Sequence, residues 1–232
     1  MPLIKIGGSL LAHPRLPALL KILAHIPACL IIPGGGVYAD AVRNAQQQAG
    51  FDDEEAHWQA IAAMDQSALA LHQLAPELPL VSQQDGLQQA MQQGQTVIWQ
   101  PYQMLKQDCQ LPATWQVTSD SLAAWLALQC LTQAWAQDLI LQELILIKAT
   151  SMPAASSIQQ MQQSGLLDGY FHHLLQQIQQ QAKASAMQVY LLDIHAIDFS
   201  IALQGLAQGT ANLSVLKSAA FPLNEGLVQE AR

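Results

Sequence analysis

The sequence predicts an α/β fold with a mainly parallel sheet that is covered by helices on both faces. Two observations lead to this class. Short apolar runs alternate along the chain with longer segments whose apolar residues recur at helical spacing. No internal repeat and no linker-like stretch interrupts this rhythm. Strands that alternate with helices pair in parallel and are covered by helices on both faces.

The strands are predicted from the short apolar runs. They cover residues 3–6, 28–32, 78–81, 96–99, 144–148, 189–193 and 213–217. Helices are predicted over residues 14–24, 37–49, 52–74, 119–137, 155–164, 168–183 and 196–204, with a glutamine-rich helix between the third and fourth strands. Acidic residues from Asp52 to Glu55 open the third helix, where the helix dipole favours negative charge. Ser119 or Asp120 is expected to cap the helix over 119–137.

The length allows one large or two small domains, and the absence of a linker favours one domain with two lobes. At 232 residues the chain is long for a single domain, against a prior of about 150 residues. The strand–helix rhythm restarts near residues 114–120 without a linker. We therefore expect a single domain over residues 1–232, in which lobes 1–113 and 114–232 share one sheet.

Composition and charge exclude several classes of protein. Apolar residues make up 51% of the chain and charged residues 11%, against a usual charged share of about 25%, which excludes a disordered chain. The net charge is −8 with nine Lys and Arg, so we expect neither a nucleic-acid partner nor a basic helix on a membrane surface. The three cysteines are scattered, without metal-ligand or disulfide spacing, and predict a cytoplasmic protein.

A lysine inside the first apolar strand is the first candidate for chemistry. Lys5 is followed at once by Gly7, Gly8 and Ser9. A buried lysine is costly unless it is paired, and two glycines at a strand end let backbone N–H groups approach an anion closely. The hexamer alone fits a phosphate site and a tight turn with Lys5 reaching solvent equally well.

A second glycine loop follows the second strand. Gly34, Gly35 and Gly36 lead directly into a helix, an arrangement that binds anions through the helix N-terminus. Three adjacent glycines carry an entropic cost that a bare turn does not explain. The Walker A string does not occur. The loop fits the relaxed dinucleotide pattern, but it follows the second strand and lacks the strand-end acid, so a dinucleotide oxidoreductase is the weaker alternative.

Two further lysines also stand at the ends of apolar strands. Lys148 and Lys217 each end such a run, and ligands of open α/β sheets lie at the carboxyl ends of the strands. Lys5, Lys148 and Lys217, with the two glycine loops, form a cradle suited to a polyphosphate. Asp120, at the start of the helix over 119–137, is by itself better explained by a plain helix cap than by a catalytic role.

Three segments in this order resemble the amino-acid kinase family. They are IKIGGSL at 4–10, IIPGGGVYADAVR at 31–43 and TSDSLAAWLA at 118–127. The family includes acetylglutamate, aspartate, uridylate and isopentenyl phosphate kinases. The resemblance implies a three-layer αβα sandwich around an open, mainly parallel sheet of about eight strands. It also implies that residues 1–113 bind the acceptor and residues 114–232 bind ATP.

The resemblance implies roles for ten positions. It implies catalytic roles for Lys5, Asp120 and Lys148, ATP phosphate contacts for Gly7, Gly8 and Ser9, and acceptor contacts for Gly34, Gly35, Gly36 and His57. ATP and Mg²⁺ are the implied cofactors, with no metal site made by the protein itself. Many members carry Thr-Asp-x-x-Gly where this chain has Lys148, Ala149 and Thr150. If Asp120 orients the lysines, we expect Asp120→Asn to remove activity and leave thermal stability nearly unchanged.

Within the family, the resemblance is closest to the branch that phosphorylates [5-(aminomethyl)furan-3-yl]methyl phosphate in methanofuran biosynthesis. It rests on residues 31–43, on AHWQAIAAMDQ at 56–66, and on Trp115 with the segment after it. LILIKAT at 144–150 resembles the relatives from methylotrophic bacteria. The branch implies a phosphate-monoester acceptor, and we expect a homodimer or higher homo-oligomer. UMP, isopentenyl phosphate, aspartate or acetylglutamate as acceptor, and a catalytically silent nucleotide-binding relative, remain alternatives.

Overall fold

One seven-stranded sheet organises the described part of the chain. The computed structural model describes residues 1–108, 110–150, 157–181, 187–199, 201, 216 and 220–223. The strands are β1 (Pro2–Ile6), β2 (Leu30–Pro33), β3 (Leu80–Val81), β4 (Val97–Trp99), β5 (Glu143–Lys148), β6 (Gln188–Asp193) and β7 (Ala220–Pro222). Their order is β3-β4-β2-β1-β5-β6-β7, and only β7 runs antiparallel to its neighbour. The predicted α/β fold with a mainly parallel sheet is confirmed.

Helices flank this sheet. They are α1 (Leu16–Leu23), α2 (Gly36–Ala49), α3 (Asp53–Leu74), α4 (Gln84–Gln92), α5 (Pro101–Asp108), α6 (Ser119–Thr132), α7 (Ile158–Gln163) and α8 (Phe171–Gln179). Short 3-10 helices cover Gly8–Ala12, Ala134–Ala136 and Ile194–Ala196. Among the described helices, none combines the length and the apolar character needed to cross a membrane.

The structure differs from the sequence prediction at several helix ends. Helix α6 ends at Thr132, and its N-cap residue is Thr118, so neither Ser119 nor Asp120 is the cap. Helix α5 was not predicted, although its first residue is a proline, which suits the first turn of a helix. The predicted strand over 213–217 lies outside the described residues except Leu216, which is helical.

Side chains alternate between the two faces of the sheet, and this alternation places the two strand-end lysines together. Ile4 and Ile6 pack in one core cluster, and Leu3 packs in the other. On the neighbouring strand Leu146 shares the cluster of Leu3. Because strand side chains alternate with a period of two, Lys5 and Lys148 point to the face of Leu3 and Leu146. Helix α6 packs on that face against β1, β2 and β5.

The two glycine loops touch each other at the carboxyl ends of β1 and β2. A Cβ atom on Gly8 would lie 2.1 Å from the backbone nitrogen of Gly36, and one on Gly34 would lie 2.3 Å from that of Gly8. Gly36 also has a positive φ of 53°, a conformation that glycine adopts at low cost. Side chains at these positions would therefore force the loops apart.

We expect Gly8→Ala to lower the free energy of unfolding by about 1–3 kcal/mol, the usual cost of overpacking. For a chain of this size that corresponds to a fall in Tm of roughly 2–4 °C per kcal/mol. Thermal unfolding followed by circular dichroism measures the change. The control is Gly169→Ala, where the added Cβ meets only the Gln116 side chain at 3.5 Å or more. Equal Tm values for the two variants would contradict the close contact between the loops.

Candidate active site

A buried carboxylate joins the two strand-end lysines. Asp120 lies in the first turn of α6, with one oxygen 2.8 Å from Lys5 Nζ and the other 2.5 Å from Lys148 Nζ. The side chains of Lys5 and Asp120 are each 4% exposed, and that of Lys148 is 15% exposed. Lys5 therefore does not reach solvent, and the three residues form one buried cluster, named here the Lys–Asp–Lys bridge.

The charges of the bridge shift the pKa values of its members. Burial alone would raise the pKa of Asp120, but the ammonium groups of Lys5 and Lys148 lower it to about 2. Burial lowers the pKa of Lys5 below its ordinary value, and the charge of Asp120 opposes this effect. Asp120 is therefore ionised at neutral pH, and each ammonium group has a carboxylate oxygen as its partner.

A distant carboxylate holds the start of α6. The N-cap residue, Thr118, makes no capping hydrogen bond with its own side chain. Instead Asp168 Oδ2 accepts hydrogen bonds from Thr118 N at 2.9 Å, Thr118 Oγ1 at 2.8 Å and Ser121 N at 2.9 Å, and Asp168 Oδ1 accepts one from Ser121 Oγ. The sequence alone did not indicate a role for Asp168 in the site. An Asp three residues before Phe171 indicates at most a local helix cap.

A cavity of about 400 Å³ opens beside the bridge at the first glycine loop. Its walls are Lys5, Gly7, Gly8, Ser9, Lys148, Thr150, Ser164, Gly165 and Leu166. The N–H group of Gly7 donates to the Ile147 carbonyl at 2.8 Å. A side chain at this position would clash, because a Cβ would lie 2.9 Å from that oxygen. Gly7 therefore contributes to the site through its lack of a side chain. Gly8 and Ser9 begin a 3-10 helix, where the first N–H groups have no partner within the helix.

A second, smaller cavity of about 80 Å³ lies at the other glycine loop. It is lined by Gly35, Ala39, Arg43, His57, Ala60, Ile61, Met64, Trp115, Val117, Thr118, Ser119 and Leu122. Gly34 is not among these residues, and its N–H group donates to the Ile6 carbonyl at 2.8 Å. The Ser67 hydroxyl donates to the Gly35 carbonyl at 3.1 Å and fixes the loop from α3.

Two polar side chains of this second cavity have well-defined partners. His57 is 4% exposed, and burial lowers its pKa, while a hydrogen bond to the Thr114 backbone opposes the shift. Its ring is therefore neutral at pH 7. The Arg43 guanidinium carbon lies 4.3 Å from the centroid of the Trp115 ring, and Trp115 Nε1 donates to Gln46 Oε1 at 2.6 Å. The cavity thus combines an apolar wall with one cation at its edge.

The structure brings eight of the ten predicted site residues to one or other of these cavities or to the bridge. Gly34 and Gly36 support the contact between the loops without lining either cavity. Lys217 lies outside the described residues. No group of three or more His, Cys, Asp or Glu that could hold a metal ion occurs in the described part of the chain. Asp120 is already paired with two lysines, and Asp168 already accepts from N–H and O–H donors, so these two carboxylates do not form a Mg²⁺ site.

The structure is an α/β protein in which one buried carboxylate joins two lysines beside two glycine loops at the strand ends. The sequence profile of the amino acid kinase family matches residues 1–131, and the chain belongs to this family. The fold is similar to that of uridylate kinase from Archaeoglobus fulgidus, with a TM-score of 0.52, 15% sequence identity and coverage of 83% of this chain and 90% of that chain. A comparison with curated protein sequences gives no match. Family and fold together support a small-molecule kinase.

We expect Asp120→Asn to lower kcat by about 100-fold or more, the usual scale for removing one element of electrostatic preorganisation. The buried geometry also revises the expectation of unchanged stability, because Lys5 would lose its counter-charge inside the protein. Breaking a buried ion pair typically costs about 3–5 kcal/mol. Steady-state kinetics and a melting curve on the same preparation measure both effects.

Leu126→Ala is the control for this loss of stability. Leu126 is fully buried in the same helix and takes no part in the ion pairs of the bridge, and such a truncation costs about 2–5 kcal/mol. It is expected to keep kcat within about twofold of wild type at a temperature where both variants are folded. If the Asp120→Asn enzyme had the same kcat as the Leu126→Ala enzyme, the role of Asp120 would be purely structural.

Proposed function

We propose that this protein is a kinase that transfers the γ-phosphoryl group of ATP to a phosphate monoester. The acceptor we propose is [5-(aminomethyl)furan-3-yl]methyl phosphate, as methanofuran-type cofactor biosynthesis requires. The single observation that carries the proposal is the Lys–Asp–Lys bridge, which lies at the strand ends beside two glycine loops that touch each other.

The nucleotide is assigned to the cavity of Lys5 and Lys148. Phosphoryl transfer needs in-line positioning and neutralisation of the charge on the transferring group. Two ammonium groups and the first N–H groups at Gly8 and Ser9 supply positive charge and donors on this side. Asp120 holds both ammonium groups in place before the substrates arrive, which is how preorganised charge contributes to catalysis.

The acceptor is assigned to the cavity of Gly35 and Trp115. Its apolar wall suits a flat ring, and Arg43 at its edge suits a phosphate group. Among the described residues, the lining contains no carboxylate that could act as a base, and an acceptor phosphate, already an anion, needs none.

Phosphorus NMR on the purified protein with Mg·ATP tests the proposed function. The acceptors are the aminomethylfuran phosphate, UMP, isopentenyl phosphate, aspartate and acetylglutamate. A diphosphate product from the first acceptor, absent with a Lys5→Met control from a parallel preparation, is the expected result. If only a different acceptor is phosphorylated, the proposed acceptor is wrong. If the protein binds ATP but phosphorylates none of these acceptors, it is a regulatory relative.

We expect Ala60→Leu to raise the KM of the acceptor about 10-fold or more and to leave the Kd of ATP within about twofold. The added carbons fill the acceptor cavity, and a loss of about 1.4 kcal/mol corresponds to that factor. Ala62→Leu is the matched control, because Ala62 lies on the same helix but lines a surface groove instead of this cavity. Weakened ATP binding with an unchanged acceptor KM would reverse the assignment of the two cavities.

A further inference from the structure

One carboxylate outside the Lys–Asp–Lys bridge ties two helices together. Besides its hydrogen bonds to Thr118 and Ser121, Asp168 Oδ1 accepts from Phe171 N at 3.0 Å and Tyr170 N at 3.3 Å. It therefore caps the first turn of α8 and the first turn of α6 at the same time. Helix N-termini carry unsatisfied N–H groups, and a carboxylate is a strong acceptor for them.

The residues that Asp168 holds stand on either side of Asp120. Thr118 and Ser121 flank it in the first turn of α6, and Ser121 is fully buried. The position of the Asp120 carboxylate relative to Lys5 and Lys148 therefore depends on how this turn is fixed. Thr118 makes no cap of its own, so the described contacts assign that task to Asp168.

The segment that carries Asp168 also forms a wall of the nucleotide cavity. Ser164, Gly165 and Leu166 line that cavity beside Lys148. Gln162 Nε2 donates to the Asp168 carbonyl at 2.7 Å, so the carboxylate is held within an ordered turn. Asp168 thus connects the cavity wall to the helix that orients the lysines.

We propose that Asp168 is a positioning residue for phosphoryl transfer, which fixes the first turn of α6 so that Asp120 can hold Lys5 and Lys148. This inference rests on the proposed kinase function. Asp168 forms no ion pair with either lysine of the bridge and does not line either cavity, so its hydrogen bonds reach the bridge through the first turn of α6 and Asp120, while its charge also raises the pKa of Lys5.

Asp168→Asn is the first test, with the Asp120 carboxyl pKa measured by carbon NMR as the main readout. Loss of positioning would loosen the contacts with both lysines and raise this pKa from about 2 towards the ~3.9 of an unpaired Asp. Mere removal of the neighbouring negative charge would lower it instead. The direction of the shift therefore separates positioning from a simple charge effect.

The kinetic readout is a fall in kcat of about 10- to 100-fold, the scale of a small misplacement of catalytic groups, with an ATP KM within threefold of wild type. Ser121→Ala removes one hydrogen bond to Asp168 and keeps the charge of Asp168. We expect it to raise the Asp120 pKa and to lower kcat, as Asp168→Asn does. It replaces Asp168→Asn in the test if that variant does not fold.

Leu167→Ala is the matched control, because Leu167 is buried in the same loop and its truncation removes packing without touching the carboxylate. It is expected to lower Tm and to change neither the Asp120 pKa nor kcat. The inference would be overturned if Asp168→Asn left the Asp120 pKa unchanged or lowered and kept a normal kcat. It would also be overturned if Leu167→Ala lowered kcat as much as Asp168→Asn does. A wild-type protein without kinase activity would end the proposed function, while the substrate-free titration would still test the link between Asp168 and Asp120.

Discussion

The Asp120 carboxylate, held between two ammonium groups inside the protein, is the interaction on which the rest of the site depends. An ammonium group buried without a partner costs several kcal/mol, so Lys5 can occupy the end of β1 only because Asp120 reaches it. Lys148 reaches the same carboxylate from the neighbouring strand β5. This single carboxylate thus fixes which helix must cover this face of the sheet and where that helix must begin.

The glycine loops follow from the same constraint. With α6 fixed over β1 and β5, the loops that follow β1 and β2 line the two cavities, one loop each. Gly8 and Gly36 meet there so closely that a side chain on either would separate the loops. The proposed substrates would then approach each other across a backbone contact, beside the charges that neutralise the transferring group.

The sequence was sufficient for features that depend on local residue types. Lysines inside apolar strands and glycines at strand ends are visible in the chain, and their approach to one another follows from the parallel sheet. The alternation of strand side chains would also have indicated that Lys5 and Lys148 share a face, given the pairing of β1 with β5.

Other features depend on contacts between distant segments. Asp168 caps a helix almost fifty residues before it, and Arg43 lies over Trp115 from a different part of the chain. Thr118 took the capping position because that distant carboxylate, and not its own side chain, supplies the acceptor.

A crystal structure of the protein with a non-hydrolysable ATP analogue would show most directly whether the Lys–Asp–Lys bridge binds the transferring phosphate. We expect γ-phosphate oxygens about 3 Å from Lys5 Nζ and Lys148 Nζ, with Asp120 still bound to both lysines and the N–H groups at Gly8 and Ser9 directed at the phosphates. Phosphates bound at the loop of Gly35 and Gly36, with Lys5 enclosed by Asp120 and out of reach of the nucleotide, would contradict this expectation.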